Sequence, residues 1–293
     1  MGICTNRTVI VTGSGAGLGR AYALALAAEG ASVVVNDIKR EAADAVVAEI
    51  GKAGGKAVVA CDDITSMDGA ARIVAAGVDA FGDVHAVVNN AGIVRDRMFA
   101  SLTEEDWDLV VKVHLKGHFC NASQLVHRWR DQSKAGVKVD ARIINTSSGA
   151  GLQGSVGQSN YAAAKGGIAS LTLVQAAELR RYGVTANALA PAARTGMTEP
   201  VFGAVMKKPD DPGAFDHYAP ENVAPLVVWL CSPLSSHVTG RVFEVEGGKF
   251  SVATGWRTGP MRDKKARWQP AELTEVVDAL IKEAPEAQKV YGT

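Results

Sequence analysis

Short β-branched apolar runs alternate along this chain with alanine-rich segments of helical period. Thr8 to Val11 predicts a first strand, and Gly19 to Glu29 the helix after it. Ser32 to Asn36 predicts a second strand, followed by a helix from Arg40 to Ala53 that stops at Gly54-Gly55. The same logic gives strands at Ala57 to Ala60, Val84 to Asn89, Arg142 to Thr146, Val184 to Ala190 and Val242 to Glu246. The intervening helices run from Met67 to Phe81, Glu104 to about Lys134, Asn160 to Arg181 and Asn222 to Cys231. Strands that alternate with helices of this length form right-handed βαβ units, so the pattern predicts an α/β fold: a doubly wound, parallel, seven-stranded sheet with helices on both faces. Strands as uniformly apolar as Val33-Val34-Val35 fit burial on both sides. No boundary interrupts the series, and residues 1–293 are expected to form a single domain. Residues 249–293, with Trp256, Trp268, a basic run and an amphipathic helix from Ala271 to Ile281, are expected to be a C-terminal extension packed on it.

Composition adds exclusions. With 31 basic and 31 acidic residues the net charge is +0, so no global field favours nucleic acid or an anionic membrane surface. The apolar stretches are broken well short of the roughly 20 residues a membrane span needs, and the N-terminus lacks the marks of a signal peptide. Cys4, Cys61, Cys120 and Cys231 are scattered, which predicts reduced thiols and a cytoplasmic protein rather than a disulfide framework.

Candidate chemistry begins in the first strand–helix connection, Thr12-Gly13-Ser14-Gly15-Ala16-Gly17-Leu18-Gly19. A chain that must turn tightly, approach a pyrophosphate with its backbone and then start a helix needs glycines in such a place. Gly13, Ser14, Gly17, Leu18 and Gly19 are therefore candidate dinucleotide-binding residues. Asp37 closes the second strand, 37 − 19 = 18 positions after the last glycine, where an acid grips the adenosine ribose hydroxyls. A carboxylate there repels a 2′-phosphate, which favours NAD over NADP; Lys39 and Arg40 beside it keep NADP in view.

Tyr161 and Lys165 lie four apart on a predicted helix and share a face. A free tyrosine, with a pKa near about 10, is a poor base at neutral pH. A neighbouring ammonium is expected to lower that value, so that the phenolate can take a proton from an alcohol as hydride leaves the same carbon. Ser147 and Ser148 follow the fifth strand at the sheet edge where ligands sit, and a hydroxyl there can hold the substrate oxygen against Tyr161.

Taken together, these residues resemble the short-chain dehydrogenase/reductase family, over roughly Arg7 to Gly248. The resemblance rests on the glycine loop, Asp37, Asp62, Asn89-Asn90-Ala91-Gly92, Ser148, Tyr161-Ala-Ala-Ala-Lys165 and Asn187-Ala-Leu-Ala-Pro191. The spacing 161 − 148 = 13 is the family's usual one and selects Ser148 over Ser147. Ala16, where the longer epimerase branch has glycine, points to the dehydrogenase branch. The resemblance implies a Rossmann-type sheet and an alcohol–ketone oxidoreductase. It places Asp62 and Asp63 against adenine, Asn89, Ala91 and Gly92 around the cofactor ribose, and Lys165 also on the nicotinamide ribose. It sets Pro191 and Thr195 by the carboxamide and pyrophosphate, and it implies a homodimer or homotetramer.

One departure is informative. His114 stands where the family usually has a catalytic asparagine, whose backbone carbonyl supports a water relay to the lysine; that carbonyl survives the change, so activity is expected to survive too. His114 is also expected to titrate near neutral pH. His114 and His118, four apart, lack a third nearby ligand, so no metal site is expected. With the stretch Ala190-Pro-Ala-Ala-Arg-Thr195, this histidine resembles a branch of the family, the dehydrogenase parts of peroxisomal multifunctional enzymes and their bacterial relatives, that oxidises (3R)-hydroxyacyl-CoA thioesters or steroid alcohols. The stretch Met197 to Tyr218, with Val201, Phe202, Val205, Met206 and Phe215, is expected to lid such a substrate. The basic tail residues Arg257, Arg262, Lys264, Lys265 and Arg267 either meet CoA phosphates or form a solvated surface. The competing functions are an NADP-dependent 3-oxoacyl carrier-protein reductase and a non-catalytic dinucleotide sensor. Intact Ser148, Tyr161 and Lys165 oppose the second, and Asp37 the first.

Overall fold

The computed structural model describes residues 2–199, 203–211 and 213–293. Eight strands form one sheet: β1 Thr8–Thr12, β2 Ser32–Asn36, β3 Lys56–Ala60, β4 Ala86–Asn89, β5 Ala141–Thr146, β6 Val184–Ala192, β7 Val242–Glu246 and β8 Lys249–Val252. Their order is β3-β2-β1-β4-β5-β6-β7-β8, parallel throughout except for the β7–β8 pair. Sequence order reverses between β1 and β4, and the crevice at their carboxyl ends is where such sheets take ligands.

Alternation along the strands divides the core in two. Val9, Val11, Val33, Val35 and Val88 pack under one helical layer, with Leu26 of α1 (Gly17–Ala28), Val46 of α2 (Arg40–Lys52) and other apolar residues of the same face. Ile10, Val34, Val87 and Ile143 face the other layer, which includes α3 (Met67–Phe81). A sheet covered on both faces needs apolar residues at consecutive positions, which is why these strands show no polar alternation. Among the described residues the remaining α-helices are α4 Glu104–Val111, α5 Gly117–Lys134, α6 Gly149–Gln153, α7 Ser159–Leu179, α8 Ala224–Cys231 and α9 Leu273–Glu283.

Two features differ from the sequence expectation. The sheet has eight strands, not seven. The added β8 is exposed along its length, so no buried pattern marks it; a Gly247-Gly248 connection, with Gly247 at φ +55, turns it back against β7. The long helix expected from Glu104 to Lys134 is interrupted by a π turn over Lys112–Lys116. Such turns displace a side chain from helical register and recur at functional sites. Here the turn carries the buried His114 at its centre. Among the described residues no helix is long and apolar enough to cross a membrane.

Candidate active site

The loop after β1 fits a pyrophosphate. Gly13 and Gly17 are left-handed, at φ +61 and +54. A Cβ on Gly13 would come within 2.7 Å of Ala91 Cα, and one on Gly19 within 2.3 Å of the Gly13 carbonyl oxygen. Only hydrogen fits at either place. Ala16, the N-cap of α1, offers no side-chain cap, and the first turn holds no acid, so the helix presents open N–H groups and its positive end. Thr195 closes over the loop, its Cγ2 3.4 Å from where a Gly17 Cβ would stand. Pro191 is the first half-buried residue of β6, after the buried run Val184 to Ala190.

The other candidate residues hold this cradle together from behind. Ser14 turns inward, its hydroxyl donating to the Val11 carbonyl at 2.8 Å, so any part it takes in binding is through its backbone. Leu18 packs into the core beneath α1. Thr12 Oγ1 accepts from the N–H groups of Asn90 (2.9 Å) and Ala91 (3.1 Å), tying the β1 loop to the β4 loop. Asn90 completes the tie through its amide, donating to the Thr12 and Gly13 carbonyls. Asn89 is buried and donates to Asn145 Oδ1 at 3.0 Å. Asp37 accepts the Gly15 N–H at 3.0 Å and the Lys39 N–H at 2.9 Å, one on each oxygen, which leaves further lone pairs open. Arg40 is drawn away to Asp44 at 3.4 Å. Asp62 accepts from Arg72, and Asp63 caps the turn into α3 through Thr65.

At the carboxyl end of β5 the two serines separate. Ser147 is buried, its hydroxyl donating to the Lys165 carbonyl at 2.8 Å. Ser148 faces the other way: it caps α6, accepting the Ala150 N–H at 3.2 Å, and its hydroxyl acts on the Tyr161 phenol, favouring the phenolate. Lys165 is buried one helical turn along α7, its ammonium donating to the Thr146 carbonyl at 2.6 Å and lying 5.5 Å from the Tyr161 ring centre. Ser148, Tyr161, Lys165 and His114 therefore converge beside the glycine cradle.

The electrostatics correct two expectations. Tyr161 is not lowered but pushed up to about 12, because burial of the phenolate outweighs the bond from Ser148. Desolvation acts instead on Lys165, bringing it down to about 7. His114 does not titrate near neutrality: burial, helped by the nearby Lys165 charge, lowers it to about 3 and keeps the ring neutral. That ring stands edge-on to Tyr161, centres 5.1 Å apart. Its Nε2 lies 3.0 Å from the Ile93 nitrogen and 2.7 Å from the Ile93 oxygen, while its buried Nδ1 has no protein partner. His118, also buried, bonds to backbone at His114, Asn89 and Thr146.

Gly92 makes room for the histidine. A Cβ there would lie 2.3 Å from His114 Cε1, and the ring is walled in. Gly92→Ala is expected to cost about 1–3 kcal/mol of stability by overpacking. Denaturant midpoints should show the loss, and His114→Ala in the same chain should relieve it; a Gly92→Ala midpoint equal to wild type would refute the clash.

Comparison with known proteins decides what this geometry belongs to. The family model described as short chain dehydrogenase matches residues 7–204. The chain belongs to the short chain dehydrogenase family. Hydroxyacyl-CoA dehydrogenase ChsB1 of Mycobacterium tuberculosis is 46% identical over 284 residues, covering 92% of this chain and 87% of that one. Peroxisomal multifunctional enzyme type 2 of Mus musculus is 43% identical over 259 residues, 85% of this chain and 32% of that protein. A crystal structure of a short chain dehydrogenase from Mycobacterium avium superposes with a TM-score of 0.91 at 54% identity, each chain covered in full. As a short chain dehydrogenase, the protein is an oxidoreductase acting on CH–OH groups of small molecules with a nicotinamide dinucleotide cofactor.

Proposed function

We propose that this short chain dehydrogenase oxidises a secondary alcohol to a ketone with NAD, and that the alcohol is a (3R)-hydroxyacyl-CoA or a hydroxysteroid. The observation that carries the chemistry is the Tyr161 ring with the Lys165 ammonium buried 5.5 Å from its centre and the Ser148 hydroxyl acting to favour its phenolate. The names of the M. tuberculosis and mouse relatives support the hydroxyacyl-CoA class.

The bound nicotinamide supplies a hydride acceptor. Gly13, Gly17, Leu18 and Gly19 would hold its pyrophosphate through their backbone, with Thr195 above, and Asp37 the adenosine ribose; Asp62 and Asp63 would lie against the adenine, Asn89, Ala91 and Gly92 around the cofactor ribose, and Pro191 by the carboxamide. Ser148 Oγ holds the substrate oxygen, and Tyr161 takes its proton as the hydride departs. Taking that proton needs the phenolate, which a phenol pushed up to about 12 yields more readily as pH rises. Alcohol oxidation kcat/KM is therefore expected to rise with pH, and the reverse reduction to fall. An oxidation profile flat from pH 6 to 9 would sink Tyr161 as the base.

Asp37 supports NAD over NADP. Binding titrations are expected to give tighter NADH than NADPH, and Asp37→Ser is expected to narrow the gap by at least about tenfold as the repulsion of a 2′-phosphate is lifted. Equal wild-type affinities would overturn the assignment. Initial rates with NAD and a panel of (3R)-hydroxyacyl-CoAs and hydroxysteroids test the substrate class; no turnover of any member refutes it.

The substrate side is less closely defined. In the expected lid, Arg194 pins the segment by its ion pair with Asp216 and its bond to the Met206 carbonyl. Val205 and Phe215 are exposed there and suit an acyl chain; Val201 and Phe202 lie outside the described residues. Arg262, Lys264 and Lys265 pair with Glu283, Glu272 and Asp263 of the tail itself, which favours a solvated surface over CoA phosphates. Residues 249–293 fit an extension of one domain. Exposed Phe119, Leu173 and Val174 on α5 and α7 support a homodimer or homotetramer, and the reduced cysteines a cytoplasmic one.

A further inference from the structure

The last six residues return to the active site. Tyr291 pairs in parallel with Ser155: the Val156 N–H donates to the Tyr291 carbonyl at 2.9 Å, and the Tyr291 N–H to the Gly154 carbonyl at 3.2 Å. The Gln288 amide donates to Gln153 Oε1. Val290 covers Gly154 and Val156 covers Gly292, each side chain 3.3 Å from where the glycine's Cβ would stand. The closest approach is made by Tyr291 itself. A Cβ on Gly149 would lie 2.6 Å from the Tyr291 Oη and 2.9 Å from its Cε2. The phenol thus abuts the backbone of the residue that follows Ser148.

This contact falls on a glycine-rich piece of chain. Gly149 and Gly151 lie in α6, and Gly154 and Gly157, both at positive φ, make the connection from it to α7. The Ser148 carbonyl accepts the Gly151 and Leu152 N–H groups at 2.9 and 3.2 Å, but among the described residues its side chain is held only by the 3.2 Å bond from Ala150. Residues 253–287 are largely exposed, and α9 leaves Leu273, Val277 and Ile281 in solvent, so the strap at 288–293 can release without unfolding the sheet.

We propose that Tyr291 is a positioning residue: it braces residues 149–156 from outside and thereby fixes Ser148 against Tyr161. The proposal rests on alcohol oxidation at Ser148 and Tyr161. Transition-state geometry suffers more from a loose serine than ground-state binding does. Tyr291→Ala in the full-length chain is expected to lower kcat by about tenfold, with the alcohol KM changed less than about twofold and NADH affinity intact. Tyr291→Phe keeps the ring edge and should recover most of the rate. Removal of Gln288–Thr293 should reproduce the alanine variant.

Hydrogen exchange of residues 149–158, measured without cofactor or substrate, gives an arm independent of turnover. Exchange faster in Tyr291→Ala than in wild type is expected. Unchanged exchange, or unchanged kcat in both the alanine variant and the truncated chain, overturns the proposal. Wild-type protein that turns over no alcohol would refute the proposed function, while the exchange result would still judge the brace.

Discussion

Tyr161→Phe is expected to cut turnover by about 10²–10⁴-fold, the usual worth of a positioned acid–base group, while NADH binding stays within about twofold of wild type. The substitution removes one oxygen and leaves the ring, so the edge-on contact with His114 at 5.1 Å and the buried Lys165 beneath it persist. Ser148 keeps its Ala150 bond but loses the phenol it shares the substrate oxygen with. The glycine cradle and Asp37 are untouched. Stopped assays of NADH formation give the rate, and fluorescence titration of NADH gives the binding. Full activity in the variant would remove Tyr161 from the chemistry.

The second large effect is on stability in acid. His114 lies at about 3 and His118 well below 6.5, both through burial. In the unfolded chain each returns to about 6.5. Between these values the unfolded state binds more protons, so stability is fully present above pH 6.5 and is lost as pH falls towards 3. Each unit is worth about 1.4 kcal/mol, so the His114 displacement alone reaches several kcal/mol, against a total stability of about 5–15. Urea midpoints at pH 7.5, 6, 5 and 4 should fall steeply, and His114→Asn should flatten the fall. Equal slopes in the two proteins would mean the neutral ring is not what acid attacks. Lys165, also lowered by burial, acts in a different window, from about pH 7 to 10, where stability rises with pH.

The parallel strands were legible because burial on both faces leaves consecutive apolar positions, as in Val33-Val34-Val35. β8 was not, because Lys249–Val252 is exposed at every position and is held only by its pairing with β7. The π turn was illegible for a related reason: one extra residue in a helical turn leaves helix-forming composition unchanged. The convergence of Ser148, Tyr161 and Lys165 could be anticipated from spacing, since a strand end and a helix face are rigid. Their proton affinities could not. The expected lowering of Tyr161 by Lys165 left out desolvation, which dominates at both groups. Asn90 and Thr12, which bind the two cofactor loops together, carried a visible signal in the Asn-Asn-Ala-Gly motif but no hint that a threonine one strand away was its partner.

The two ends of the chain are unequal as points of attachment. Ile3 and Cys4 are fastened to Glu29 at the far end of α1, and Arg7 precedes β1, at the sheet edge remote from Ser148. Thr293 stands two residues beyond the ring that abuts Gly149. A purification tag or fusion partner on the C-terminus would pull on the connection that carries the reacting serine, whereas the same addition before Gly2 would not. If Tyr291 braces that connection, preparations that differ only in which end bears the tag are expected to differ in kcat, and comparing their rates checks it.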